Sequence, residues 1–149
     1  MEYAIRPLTP ADETILWDML YVALLTSEGG PAREIVQQPE LARYVEGWGR
    51  AGDVGFVAQD RQTEQTLGAV WMRKFPPNDT PELAFSVRPE MRRRGMGAAL
   101  LTQLVKATPE QSELIIHVPA NNPAVRLYER FGFHVVDQMQ DGLRLKRQI

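Results

Sequence analysis

The sequence predicts an α/β (α+β) protein, a mixed central sheet with helices on both faces, folded as a single domain over residues 1–149. Three observations carry this prediction. Strand-like and helix-like runs alternate from end to end, without repeats or low-complexity segments. Three strand-like runs, VGFVAQD, QTLGAVWMRKF and ELAFSV, follow one another across short polar connections, as in a meander. The run MGAALLTQLVKA then places Met96, Leu100, Leu101, Leu104 and Val105 on one face of a helix able to cover that sheet.

Each element has its own signal. EYAIRPL reads as the first strand, and Thr9 ahead of Pro10, Asp12 and Glu13 reads as a helix N-cap with proline and acids in the first turn. That helix runs to about Leu25. TSEGGPAREIVQQPE mixes glycine, proline and polar residues into a loop with a short helical piece, and ELARYVEGWG reads as a second helix. After the meander and the helix over 96–107, LIIHV is a further strand. Asn122-Pro123 opens a helix with Ala124, Leu127, Tyr128 and Phe131 on one side, Gly132 ends it, and FHVVDQM with GLRLKRQ closes the chain as a hairpin. The expected order is β-α-α-β-β-β-α-β-α-β-β.

Composition removes whole classes of function. A chain of 149 residues buries roughly 70% of its unfolded surface, so it needs no covalent staple. With no cysteine and two histidines, His117 and His134, disulfides and thiolate metal sites are excluded and no metal is expected. A net charge of −2 argues against nucleic acid and membrane surfaces as partners. MEYAIRPLTP lacks the basic start of a signal peptide, and the apolar stretch ILWDMLYVALL is short and interrupted by Asp18. The expected location is cytoplasmic.

Against that acidic background, VRPEMRRRGMGAALL concentrates Arg88, Arg92, Arg93 and Arg94 beside Gly95 and Gly97, between a strand and a helix. A Walker loop and a G-x-G-x-x-G fingerprint both fail here, the latter because position 100 is leucine. What remains is a strand, a bare basic turn and a helix start, whose unpaired N–H groups and dipole attract a phosphate. The plain alternative is a helix start beside solvated arginines.

The spacing Val87-x-Pro89 followed by Arg92-x-x-Gly95-x-Gly97-x-x-Leu100 resembles motif A of the GNAT superfamily, the acyl-CoA-dependent N-acyltransferases. Downstream, Asn121-x-x-Ala124-x-x-Leu127-Tyr128-Glu129-x-x-Gly132-Phe133 resembles the family's motif B. The resemblance implies a GNAT-like sheet in which the strands ELAFSV and ELIIHV are parallel and splay apart. It implies acetyl-CoA as acyl-donor cosubstrate, with pantetheine against the freed backbone of Phe85, Ser86 and Val87. The pyrophosphate would lie on the backbone N–H groups of Arg93, Arg94, Gly95, Met96, Gly97 and Ala98, with Arg92 and its neighbours supplying charge and Gly97 bare because a side chain would obstruct the phosphate. Asn121 is implied as a contact to the cofactor or a bound water, against its plain reading as a turn or cap residue.

Acyl transfer to an amine needs a neutral nucleophile, stabilisation of the oxyanion, and a proton for the departing thiolate. Under the resemblance Tyr128 is the general acid and also touches the cofactor, the Val87 N–H is the oxyanion donor, and Glu82 is the base, with Glu28 as its fallback. His117 and His134 are expected to be structural. The acceptor is a small-molecule or peptide amine whose identity the sequence leaves open. Trp17, Tyr21, Tyr44, Trp48 and Trp71 either line its site or fill the core. A homodimer is compatible with the sequence. The other classes of function are an idle acyl-CoA-binding or sensing module and an interaction domain without a ligand.

Overall fold

A computed structural model describes residues 2–25, 29–75, 80–92, 94–109, 113–118, 125–140 and 142–148. The strands are β1 (Tyr3–Pro7), β2 (Val54–Asp60), β3 (Thr66–Arg73), β4 (Glu82–Val87), β5 (Glu113–Val118), β6 (Phe133–Met139) and β7 (Gly142–Gln148). The α-helices are α1 (Glu13–Val22), α2 (Pro39–Ala42), α3 (Met96–Ala107) and α4 (Val125–Arg130). The strands form a seven-stranded sheet in the order β1-β2-β3-β4-β5-β7-β6. Neighbours are antiparallel except β4 and β5, which are parallel as expected for strands joined by a crossover helix.

The side-chain period of two sorts the sheet's residues between two cores. On one face Val70, Met72, Leu83 and Val87 pack against Met96, Leu100, Leu101 and Leu104 of α3, with Tyr128 of α4 in the same cluster. On the other, Ala69 and Trp71 pack against Leu16, Met19 and Leu20 of α1. Strand β4 therefore sends Leu83, Phe85 and Val87 toward α3, and Glu82, Ala84 and Ser86 toward α1. Trp48 and Trp71 are core residues on the α1 side, and Trp17, Tyr21 and Tyr44 are partly buried around them.

The expected cap at Thr9 opens a 3-10 turn, Pro10–Asp12, before α1 begins. Asp12 accepts from the Thr9 N–H at 2.7 Å and from Arg6 at 2.8 and 3.0 Å. Arg6 above all holds this carboxyl below the usual carboxylate range.

The second helix, expected over 40–49, is corrected to the four residues Pro39–Ala42. The carbonyls that would continue it are taken by side chains from β3. Arg73 Nη1 donates to the carbonyls of Arg43 and Glu46 at 3.0 and 2.6 Å, and Trp71 Nε1 donates to that of Tyr44 at 3.0 Å. Arg73 is 1% exposed and is paired with Asp53 through two hydrogen bonds of 3.1 and 2.8 Å. A buried guanidinium with its donors satisfied in this way is a fixed post. It fastens the segment 43–53 against the strand that neighbours Glu82, since Arg73 and Glu82 are Cα partners.

Among the described residues, no helix is long and apolar enough to cross a membrane.

Candidate active site

Pairing between β4 and β5 extends over two positions, Glu82 with Ile115 and Leu83 with Ile116. Beyond them the two strands have no paired residues, so a wedge opens from an apex at Leu83 and Ile116 toward Val87 and Val118. The Arg88 N–H donates to the Leu67 carbonyl of β3 at 2.9 Å. By alternation, Leu83, Phe85 and Val87 turn their backbone groups away from β3 and into the wedge. The Val87 carbonyl accepts from Arg92 Nε at 3.1 Å, while its N–H has no partner among the described residues.

The chain leaves β4 through a 3-10 turn, Pro89–Met91, and enters α3 at Gly95, whose φ of +80° favours glycine. No side chain caps this helix and its first turn holds no acid. Ala99 is the first residue whose N–H finds an intrahelical carbonyl, that of Gly95 at 3.1 Å, which leaves the N–H groups of Met96, Gly97 and Ala98 as open donors.

The glycine at 97 has a packing reason beside the one expected. A Cβ there would lie 2.7 Å from Phe85 Cζ and 3.0 Å from Leu127 Cδ2. Close packing of the Phe85 ring demands the glycine first. The same ring meets Tyr128 edge-on at 5.7 Å between centroids, and Tyr128 meets Phe133 at 6.0 Å. Phe85 thus joins the two motifs physically, one edge against the start of α3 and the other against α4. Tyr128 is 2% exposed, and burial raises its phenol above the ordinary value.

The arginines divide. Arg88, counted in the sequence as charge beside the turn, points instead toward α1, donating to Asp18 at 2.7 Å and to the Thr66 carbonyl at 2.6 Å. Arg92 spends Nε on Val87 and Nη2 on the Leu25 carbonyl at 3.4 Å, so it braces the turn. Arg94 is exposed and has no partner among the described residues. Arg93, Asn121 and Glu28 lie outside the described residues.

On the opposite face of β4, Glu82 is the centre of a polar cluster. Its Oε2 accepts from the Tyr44 hydroxyl at 2.7 Å and from Arg43 at 3.2 Å, and lies 3.5 Å from His117 Nδ1. Its Oε1 has no partner among the described residues. Burial, followed by the bond to Glu82, raises the Tyr44 phenol and keeps it a donor. Arg43 is stacked 4.7 Å from the Tyr44 ring and 4.5 Å from the Phe75 ring. His117, expected to be structural, is exposed and stands in this cluster one residue past the apex. His134 lies on the exposed part of β6. Arg43 escaped the sequence reading because nothing local marks it, and Tyr44 was named there only among aromatics that either line the acceptor site or fill the core. The only signal was the unexplained Arg73 at the end of an apolar strand.

A family model described as the acetyltransferase (GNAT) family matches residues 17–133. The chain belongs to the GNAT acetyltransferase family. Solved structures agree on the fold. The PaiA N-acetyltransferase of Thermoplasma acidophilum, in complex with coenzyme A, superposes with a TM-score of 0.73 at 17% identity over 100% of both chains. YncA of Salmonella typhimurium, with its cofactor acetyl-CoA, gives 0.73 at 20% identity over 99% of this chain and 94% of that one. The Escherichia coli ribosomal-protein-S18-alanine N-acetyltransferase gives 0.66 at 19% identity over 99% and 94%. In this GNAT chain, motif A supplies the turn and start of α3, and the described part of motif B supplies α4.

Proposed function

We propose that this GNAT chain transfers an acetyl group from acetyl-CoA directly to a primary amine. The observation that carries the reading is the wedge. Unpaired backbone of β4 faces a gap in the sheet whose mouth leads by a short turn to the uncapped start of α3, and orphan donors in both places fit an extended amide-bearing chain ending in phosphates. Bound acetyl-CoA would supply the activated acyl group.

In this reading the wedge-facing backbone of Phe85 and Val87 holds the pantetheine arm, and Ser86, expected to share that role, is corrected to a residue whose backbone groups face β3. The N–H groups of Met96, Gly97 and Ala98, with those of Arg93, Arg94 and Gly95, hold the pyrophosphate, and Arg94 adds charge. The Val87 N–H donates to the carbonyl oxygen as negative charge develops there. Glu82 takes the amine's proton through its open Oε1, while Tyr44, Arg43 and His117 steady its Oε2. One C–N bond forms, one C–S bond breaks, and the departing sulfur takes the proton offered by Tyr128. A phenol pushed upward by burial stays protonated at every working pH, so the donor is always in place. We assign no metal to this chemistry. Asn121 keeps its proposed contact to the cofactor or to water.

The test combines titration with acetyl-CoA and an amine-panel assay of CoA release. Binding with turnover on some amine supports the reading. Binding without turnover on any amine would make the chain an acyl-CoA-binding module, and absence of binding would overturn the site.

A further inference from the structure

Across the α1 side of the sheet, around the apex, three side chains stand in a row: Glu82 on β4, His117 on β5 and Arg144 on β7. Glu82 is within 3.5 Å of His117, and His117 and Arg144 are Cα partners in the antiparallel register, which puts them on the same face. The neighbouring cations on this face are all engaged. Arg43 holds Glu82 at 3.2 Å, Arg73 holds Asp53 at 2.8 Å, and Lys146 holds Glu113 at 3.3 Å.

Arg144 differs. Its Nε is shielded from solvent and has no hydrogen-bond partner among the described residues. Asp137, its Cα partner on β6, forms no ion pair with it, nor does any other described residue. A buried donor left unmade costs about 1–3 kcal/mol, and more when it is charged. With no counter-charge among the described residues, the guanidinium as a whole is left for an anion from outside the fold.

We propose that the acceptor is an amino acid, and that Arg144 takes its carboxylate while its amine lies at Glu82. The proposal rests on the acetyl-transfer reading and narrows it to a substrate class. A guanidinium matches a planar carboxylate through two parallel N–H···O bonds, here from its terminal nitrogens, since Nε is shielded. Adjacent strands lie about 4.8 Å apart, so the row spans a carboxylate site and an amine site at the scale of one amino acid. The charge pattern fits the same substrate. An open carboxylate oxygen at Glu82 meets the ammonium, and a partnerless guanidinium two strands away meets the acid. A polyamine would bring a second positive charge against Arg144 and is selected against.

The experiment compares the common α-amino acids with their carboxamides and their decarboxylated amines, by CoA release and by calorimetric titration of the protein saturated with CoA. Wild type should prefer at least one amino acid over its amide and its amine by 10- to 100-fold in kcat/KM. Arg144→Gln should collapse that preference mainly through KM, and Arg144→Lys should restore part of it, with acetyl-CoA affinity and melting temperature confirming that both variants fold. Equal use of acids and amides by wild type would overturn the proposal while leaving the acetyltransferase intact. If no amine is turned over, the calorimetric arm still decides: binding of an amino acid that Arg144→Gln abolishes sustains the anchor, and no binding by any carboxylate sinks it.

Discussion

The two sides of β4 are built on different principles. Toward α3, the proposed donor side consists of backbone and of shape: an unpaired strand edge, an uncapped helix start, and an aromatic ring wedged between Gly97 and Tyr128. Toward α1, the proposed acceptor side consists of polar side chains delivered by the 43–44 turn, β4, β5 and β7. Recognition of a common donor tolerates a fixed backbone solution, whereas choice of acceptor depends on side chains that can change one at a time. Variants confined to one side should therefore disturb either donor binding or acceptor chemistry.

The largest effect is expected at Tyr128, the proposed general acid on the α3 side. Tyr128→Phe keeps the ring against Phe85 and Phe133 and removes a hydroxyl that has no hydrogen-bond partner among the described residues. Turnover should fall about 10²- to 10⁴-fold, with acetyl-CoA affinity and melting temperature nearly unchanged. Equal rates under chemistry-limited conditions would make Tyr128 a packing residue.

Next comes the post behind the acceptor side. Asp53→Ala leaves Arg73 buried without its carboxylate and should cost about 3–5 kcal/mol in denaturant unfolding. A cost below about 1 kcal/mol, the level of an exposed pair, would mean that Arg73 does not fasten the segment that carries Tyr44.

The two glycines of motif A sharpen the donor side. Gly97→Ala must displace Phe85 or Leu127, which should cost about 1–3 kcal/mol as overpacking and weaken acetyl-CoA binding. Gly95→Ala meets no atom within 4 Å but keeps a φ of +80°, a strain of about 1–2 kcal/mol. A crystal structure of Gly97→Ala should find the Phe85 ring moved, and one of Gly95→Ala should find it in place.

The smallest effect is remote from both sides and depends on pH. The Asp12 carboxyl is depressed in the folded chain, chiefly by its bond to Arg6. Its contribution is complete above the unfolded value of about 3.9 and is lost as pH falls through the lower folded value. Thermal melts of wild type and Asp12→Asn should differ at pH 6 and draw together as pH falls below the unfolded value. A gap that stays constant with pH would remove the Arg6 pair as its cause.

How much of this was legible in the sequence follows the same division. Helix α3 and strands β2, β4, β6 and β7 match their expected bounds, because each is a local pattern of period 3.6 or 2 ended by its own turn residues. Gly95, Gly97 and Tyr128 were also readable, since the donor side lies on contiguous segments with fixed spacing. The acceptor side was not. ELARYVEGWG has a good helical pattern, but Arg73, some 30 positions away, takes its carbonyls, and tertiary bonding overrides local propensity. His117 and Arg144 become neighbours only through the β5–β7 register, which no local pattern encodes. The packing reason for Gly97 was hidden for a similar reason: its closest neighbour, Phe85, is on another element.

The measurement that bears most directly on the division across β4 is Glu82→Gln, examined by acetyl-CoA titration and by the pH dependence of CoA release on the best amine. The account predicts unchanged acetyl-CoA affinity and a turnover loss that is greatest at low pH, where an amine of reference pKa near 8 must still lose its proton, and smaller once it is neutral. A drop in acetyl-CoA affinity, or a pH–rate profile identical to that of wild type, would contradict it.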